Sequence, residues 1–163
     1  MTADLTLTLD RPLSASPASA WRCLTEPDLL KRWFAPRPVE ATLVEIDLSP
    51  GGGFRTVMEG PGHGTIDGGR GCILLAEPPR RLVWTSALGP GFAPNPLAEG
   101  AFHFTADIRL TPEGAGCRYT ATVTHATAEG CASHAAMGFH DGWGAAAAQL
   151  DDLAQSLDAA GPA

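Results

Sequence analysis

His134-Ala135-Ala136-Met137-Gly138-Phe139-His140-Asp141-Gly142-Trp143-Gly144 is the stretch that decides how this chain is read. It belongs to a run from about Cys131 to Leu157 in which Ala132, Ala136, Phe139, Trp143, Ala146, Leu150, Leu153 and Leu157 recur at three- and four-residue steps. That period marks one apolar face of a helix. Gln149, Asp151, Asp152 and Gln155 fall off the stripe. At about 1.5 Å per residue the run spans on the order of 40 Å, enough to cross a small domain. Gly138, Gly142 and Gly144 lie inside it, each costing roughly 1 kcal/mol relative to Ala. The expected compensation is close approach of a strand or loop to the helix backbone, or a bend that follows a curved sheet; room for a ligand is the alternative.

Upstream the period is two. Leu5, Leu7 and Leu9 alternate with Thr6, Thr8 and Asp10 in the first of seven strand-like segments, residues 2–10. The others are 41–48, 54–59, 65–76, 80–88, 101–110 and 117–125. In the last two, Phe102, Phe104, Ala106, Ile108 and Leu110, then Cys117, Tyr119, Ala121, Val123 and His125, take the inward parity. Segment 65–76 is apolar on both faces from Cys72 to Ala76, so its inward side stays open. Between the first two strands, Ser16 caps a short helix begun by Pro17 and ended by Pro27; a second covers about Asp28 to Phe34. Pro50-Gly51-Gly52-Gly53 and Gly60-Pro61-Gly62-His63-Gly64 are turns. The fold class is therefore α+β: a seven-stranded antiparallel sheet curved around one long C-terminal helix, with two short helices between strands 1 and 2. Such a sheet must curl around the helix, and curling leaves a hollow between them. Gly89–Gly100, too long for a tight hairpin, is expected to cover its mouth.

Composition narrows the function classes. At 163 residues the chain reads as one domain, 1–163. The net charge of −7 and scattered basic residues exclude a nucleic-acid footprint. Cys23, Cys72, Cys117 and Cys131 form no CxxC pair and sit in apolar stretches, so free buried thiols are expected rather than a zinc site. The start, Met1-Thr2-Ala3-Asp4, lacks a leader pattern, and no apolar run is long enough to span a membrane; the expected location is the cytoplasm. Without a phosphate loop, nucleotide fingerprint or nucleophile elbow, no cofactor or metal is expected and no catalytic residue is assigned.

The candidate site is the hollow. Trp33, Phe54, Met58, Trp84, Phe102 and Phe104 would line it with Met137, and Phe34 would help Trp33 cap one end. Tyr119, His125 and His140 would orient a ligand's polar end, and a pair formed by His125 and His140 would suit acid–base work. His63 and His103 read as solvated, as do Glu45, Asp47 and Asp107.

Five short marks occur in order: Pro17…Trp21, Leu30-Lys31-Arg32-Trp33, Pro50-Gly51-Gly52, Pro78-Pro79-Arg80-Arg81-Leu82 and Met137-Gly138-Phe139-His140-Asp141-Gly142-Trp143. Together they resemble the SRPBCC (START-like, helix-grip) superfamily over about residues 4 to 157. More narrowly, they resemble the family named for the C-terminal domain of the heat-shock-protein-90 ATPase activator. The resemblance implies a helix-grip fold with a cavity between sheet and helix. Members of the superfamily include lipid-transfer proteins, hormone receptors, aromatic polyketide cyclases and co-chaperones, so the fold alone names no function. The leading expectation is binding of an apolar or aromatic small molecule in the cavity. One alternative is a cyclase- or dehydratase-type enzyme using the same cavity. The other is a co-chaperone-like protein-interaction role or a homodimer.

Overall fold

The computed structural model describes residues 4–161, so Thr2 and Ala3 of the first expected strand lie outside the described residues. The alternating leucines form β1 (Thr6–Leu13). Ser16 then caps α1 (Pro17–Thr25), its hydroxyl accepting from the Ser19 amide, with Pro17 in the first turn. A single turn follows, α2 (Pro27–Leu30). The next strands are β2 (Glu40–Ile46), β3 (Gly53–Gly60), β4 (Gly64–Glu77) and β5 (Arg81–Thr85). A small hairpin, β6 (Leu88–Gly89) and β7 (Ala93–Pro94), precedes β8 (Phe104–Glu113) and β9 (Gly116–His125). The main sheet has seven strands in the order β1-β9-β8-β5-β4-β3-β2, and every neighbouring pair is antiparallel. This is the expected helix-grip architecture.

The register explains why β4 is apolar on both faces. Phe54, Ile73, Trp84 and Ala106 point toward the helix; Gly53, Cys72 and Thr85 pair across the opposite face. Cys72 and Thr85 of that outer row are also buried, because the β6–β7 hairpin folds over it. Pro90 stands against Gly53 and Phe92 against Gly51, while Asn95 Nδ2 donates to the carbonyls of Arg70 (2.8 Å) and Ser86 (3.0 Å). The segment expected to lid the hollow thus seals the outside of the sheet instead. Gly51 accommodates this at φ 83°, a conformation costly for any residue with a Cβ. The same end also accounts for His103. It is half-buried, with Nδ1 3.4 Å from the Ser86 hydroxyl, and not solvated as its polar-face parity suggested.

The single long helix is two. α3 (Ala128–Ala136) is capped by Thr127, whose hydroxyl accepts from the Gly130 amide at 3.0 Å, and α4 runs from Phe139 to Ala160. Between them Gly138 adopts φ 89°, the left-handed conformation that ends helices and favours glycine. The break resets the helical phase. Ala132 and Ala136, on the expected stripe, are exposed; Gly130, Cys131 and His134 are buried instead. Past Gly138 the stripe holds, with Phe139, Ala146, Leu150 and Leu153 buried.

Carboxylates anchor α4 to the turn after β1. Asp151 accepts from the amides of Ser14 (3.1 Å) and Ala15 (3.0 Å), and Asp158 from the amide and hydroxyl of Ser16 and the hydroxyl of Ser19. Arg11 Nη1 donates to the Gly144 carbonyl at 3.1 Å. On the other flank Gln149 Nε2 donates to the carbonyls of Trp33 (3.0 Å) and Ala35 (2.8 Å). The helix lies closest to α1, β1 and α3, so it leans toward the β1 side of the sheet. Under its C-terminal half the core is filled by Leu110, Tyr119, Ala121, Leu150 and Ala154.

Candidate functional site: an apolar cleft ending at a histidine pair

Under the first turns of α4 the packing is different. Trp84 sits on β5, the middle strand of seven, and points toward the helix, yet it is only half-buried. Phe34, Val44, Ile46, Phe104 and Trp143 also pack on the core and are also half-buried. Solvent reaches a side chain on the inner face of a central strand only through the space between sheet and helix. That partly wet space is the candidate cleft. Its wall is a run of rings: Phe34–Phe54 at 6.1 Å, Phe54–Trp84 at 4.7 Å, Trp84–Phe104 at 5.2 Å and Phe104–Trp143 at 6.4 Å between centroids. Such edge-on and tilted contacts suit the ring quadrupoles.

The rim on the helix side is bare. Gly142, Ala145 and Gln149 follow at three- and four-residue steps, and Gln149 faces the residues leading into β2. A Cβ placed on Gly142 would meet nothing within 4 Å, and the same holds at Gly144, on the flank facing Arg11. Close backbone approach, one of the expected reasons for these two glycines beside a bend, is thus not what they serve. At Gly142 the missing side chain leaves the mouth of the cleft open.

At the end of the cleft His125 and His134 meet, Nε2 to Nδ1, at 2.9 Å. Both are buried, at 3% and 9% exposure. His125 is held by Leu5, whose carbonyl faces its Nδ1 at 3.0 Å and also accepts its backbone amide at 2.8 Å. His134 is framed by Phe102 (4.9 Å), Phe104 (5.2 Å), Phe139 (5.1 Å) and Trp143 (6.2 Å). Burial among these rings, with His125 alongside, pushes the His134 pKa from 6.5 down to about 4. His134 is therefore neutral at physiological pH. A neutral, buried imidazole beside an apolar hollow can accept a proton or a hydrogen bond.

The structure brings Phe54, Trp84, Phe102, Phe104 and His125 together, with Trp33 closing the far end beneath Phe34. Trp33 is buried and its Nε1 donates to the Cys23 carbonyl at 2.8 Å, so it braces the cleft more than it lines it. The other expected residues lie elsewhere. Met137 is 75% exposed, because the turn at Gly138 rotates it out to solvent. His140 is exposed on the first turn of α4 and does not reach His125; its place in the pair is taken by His134. Tyr119 is on the inner face of β9 but six residues from His125, about 20 Å along a strand, deep in the closed half. Burial pushes its phenol pKa up, and it serves as core. Met58, half-buried opposite Ala41 and Ile66, sits near the Gly60–Gly64 hairpin and outside the core cluster. Sequence reasoning passed over His134 because a continuous helix puts it off the apolar stripe; Met137-Gly138, read as a helix stop, is the signal that recovers it.

Other concavities are separate. One of about 290 Å³ opens on the outer face beside Arg55, Arg70 and Pro90, and one of about 550 Å³ beside Pro38, Glu59 and Pro61. The four cysteines are free and buried, and burial pushes the Cys23 and Cys117 thiols up to about 11, away from thiolate chemistry. Among the described residues no group of three His, Cys, Asp or Glu side chains is placed to hold a metal ion, and no helix is long and apolar enough to cross a membrane.

The family described as Activator of Hsp90 ATPase homolog 1-like protein matches residues 14–155, from the end of β1 to the last turns of α4. The chain belongs to this family. Among solved structures, protein NE0264 from Nitrosomonas europaea is 41% identical with a TM-score of 0.87, over 98% of this chain and 99% of that one. Protein Ms6760 from Mycobacterium smegmatis is 28% identical with a TM-score of 0.76, over 93% of each chain. An AHSA1-like protein from Aeromonas hydrophila, 18% identical with a TM-score of 0.68 over 94% of each chain, shares the fold. A search of curated proteins found no match.

Proposed function

We propose that the protein binds an apolar or aromatic small molecule in the cleft between the sheet and the first turns of α4. The observation that carries this reading is Trp84, an inward-facing tryptophan on the central strand that is left half-exposed. Burying such surface under a ligand contributes roughly 25 cal/mol per Å² before ordering costs. The fold supports the reading, since its members commonly hold hydrophobic ligands in this place. The test is a panel of uncharged polycyclic and acyl probes, followed by thermal shift and by quenching of tryptophan fluorescence. Saturable binding that Trp84→Ala weakens at least about tenfold, a loss of about 1.4 kcal/mol, supports the reading. No shift and no quenching across the panel would overturn it.

The histidine pair favours a second reading, proton transfer on a bound substrate. His134, held neutral in an apolar site, is placed as a general base. In that case His134→Gln removes turnover of a substrate while leaving its binding in place.

A further inference from the structure

The hydrogen-bond pattern of the histidine pair determines where its protons are. The Leu5 carbonyl can only accept, so His125 Nδ1 carries a proton and donates to it. His125 is 3% exposed and among the described residues its ring meets no carboxylate, so a charge there would lie buried without a counter-ion; in the uncharged ring Nε2 is a bare acceptor and receives its bond from His134. His134 Nδ1 therefore carries the proton, and His134 Nε2 is left with a lone pair. A further proton would place a charge among Phe102, Phe104, Phe139 and Trp143, against the cost of burying an ion. Among the described residues, His134 Nε2 has no protein partner, and it is not sealed from solvent. The cleft thus ends in an acceptor with no donor beside it.

We infer that the cleft selects ligands whose buried end is a neutral O–H or N–H donor, with His134 Nε2 as the specificity-determining acceptor, and discriminates against ligands ending in a carboxylate, carbonyl or ether. The inference rests on the cleft being the binding site. An aromatic hydroxyl at that end donates to Nε2 while its ring lies against Phe104 and Trp143. A carboxylate brings lone pairs against a lone pair and gives up its hydration for no partner. An ether of the same shape keeps the apolar contacts and loses the hydrogen bond. The relay back through His125 to the Leu5 carbonyl fixes the tautomer, so the preference is built into the backbone of β1 and does not depend on a side-chain rotamer.

Isothermal titration of the whole chain with 2-naphthol, 2-methoxynaphthalene and 2-naphthoate tests this. The expected result is about tenfold or greater preference for 2-naphthol over both others. His134→Phe should erase that preference, 2-naphthol falling to the affinity of 2-methoxynaphthalene for the same variant. Equal affinity for the three, a preference for 2-naphthoate, or a naphthol preference that survives His134→Phe would overturn the inference and leave the binding reading standing. Failure of all three to bind would overturn the binding reading, and this inference with it. Nitrogen-15 NMR of the wild-type histidines gives an answer that needs no variant. Both rings are expected in the Nδ1-protonated tautomer, and a proton on His134 Nε2 would overturn the assignment.

Discussion

The two ends of α4 face the same sheet and meet it differently. Beneath its C-terminal half, Leu110, Tyr119, Ala121, Leu150 and Ala154 are all buried, and α1 adds Ala20, Cys23 and Leu24 to the same core. Beneath its first turns Gly142 offers no side chain, and Trp84 on β5, Phe104 on β8 and Trp143 on α4 itself remain partly wet. The closed half supplies stability through ordinary close packing. The open half gives up some of that stability for a lined concavity. The difference follows α1, whose buried Ala20, Cys23 and Leu24 join the core of the closed half.

The largest expected effect falls on the closed half. Leu150→Ala should cost about 3–5 kcal/mol in chemical denaturation, as deletion of a fully buried leucine does, and should leave probe affinity unchanged. Loss of probe binding in a folded Leu150→Ala protein would erase the distinction between the halves.

Next is the pH response of the histidine pair. The folded pKa of His134, about 4, lies below its unfolded value near 6.5, so the unfolded chain binds more protons in between. Stability should therefore fall by up to about 3 kcal/mol as pH drops from 6.5 to 4, and be fully present above 6.5. In His134→Phe that decline should flatten. A wild-type stability that is level across this window would show that His134 is not held neutral.

A smaller effect is expected at the anchor between α4 and the β1–α1 turn. Asp151→Ala leaves the Ser14 and Ala15 amides without their acceptor, at a cost of about 1–3 kcal/mol by denaturation. Smallest are the glycines, whose signs should differ. Gly142→Ala should stabilise by up to about 1 kcal/mol, because the new methyl meets open space in a helix. Gly138→Ala should destabilise by about 1–2 kcal/mol, because its φ of 89° is strained for alanine. Equal signs would contradict the two-helix description.

What the sequence made legible was local. The inward parity read for Phe104, Ala106 and Ile108 and for His125, Val123 and Ala121 is kept in the structure, where these residues pair across β8 and β9. The Ser16-Pro17 start of α1 needed only neighbouring residues to be read. The placement of the candidate site's residues was legible where they lay on strands, as with Phe54, Trp84, Phe104 and His125. It was obscured where one glycine changed the helical phase. With the phase carried through Gly138, Met137 falls inward, His140 sits beside the stripe and His134 turns away; with the break, each of these placements changes. The hairpin over Gly51 and Gly53 was equally hidden, since loop length says nothing about which face a loop covers.

The central claim is tested most directly at the rim of the cleft. Titration of the uncharged dye N-phenyl-1-naphthylamine against wild type and Gly142→Leu compares one open and one filled mouth in otherwise identical folds. The wild type should bind the dye saturably at one site, with energy transfer from its tryptophans, and Gly142→Leu should weaken binding at least about tenfold with no loss of stability. Dye binding of unchanged strength in Gly142→Leu, or none in the wild type, would contradict the account.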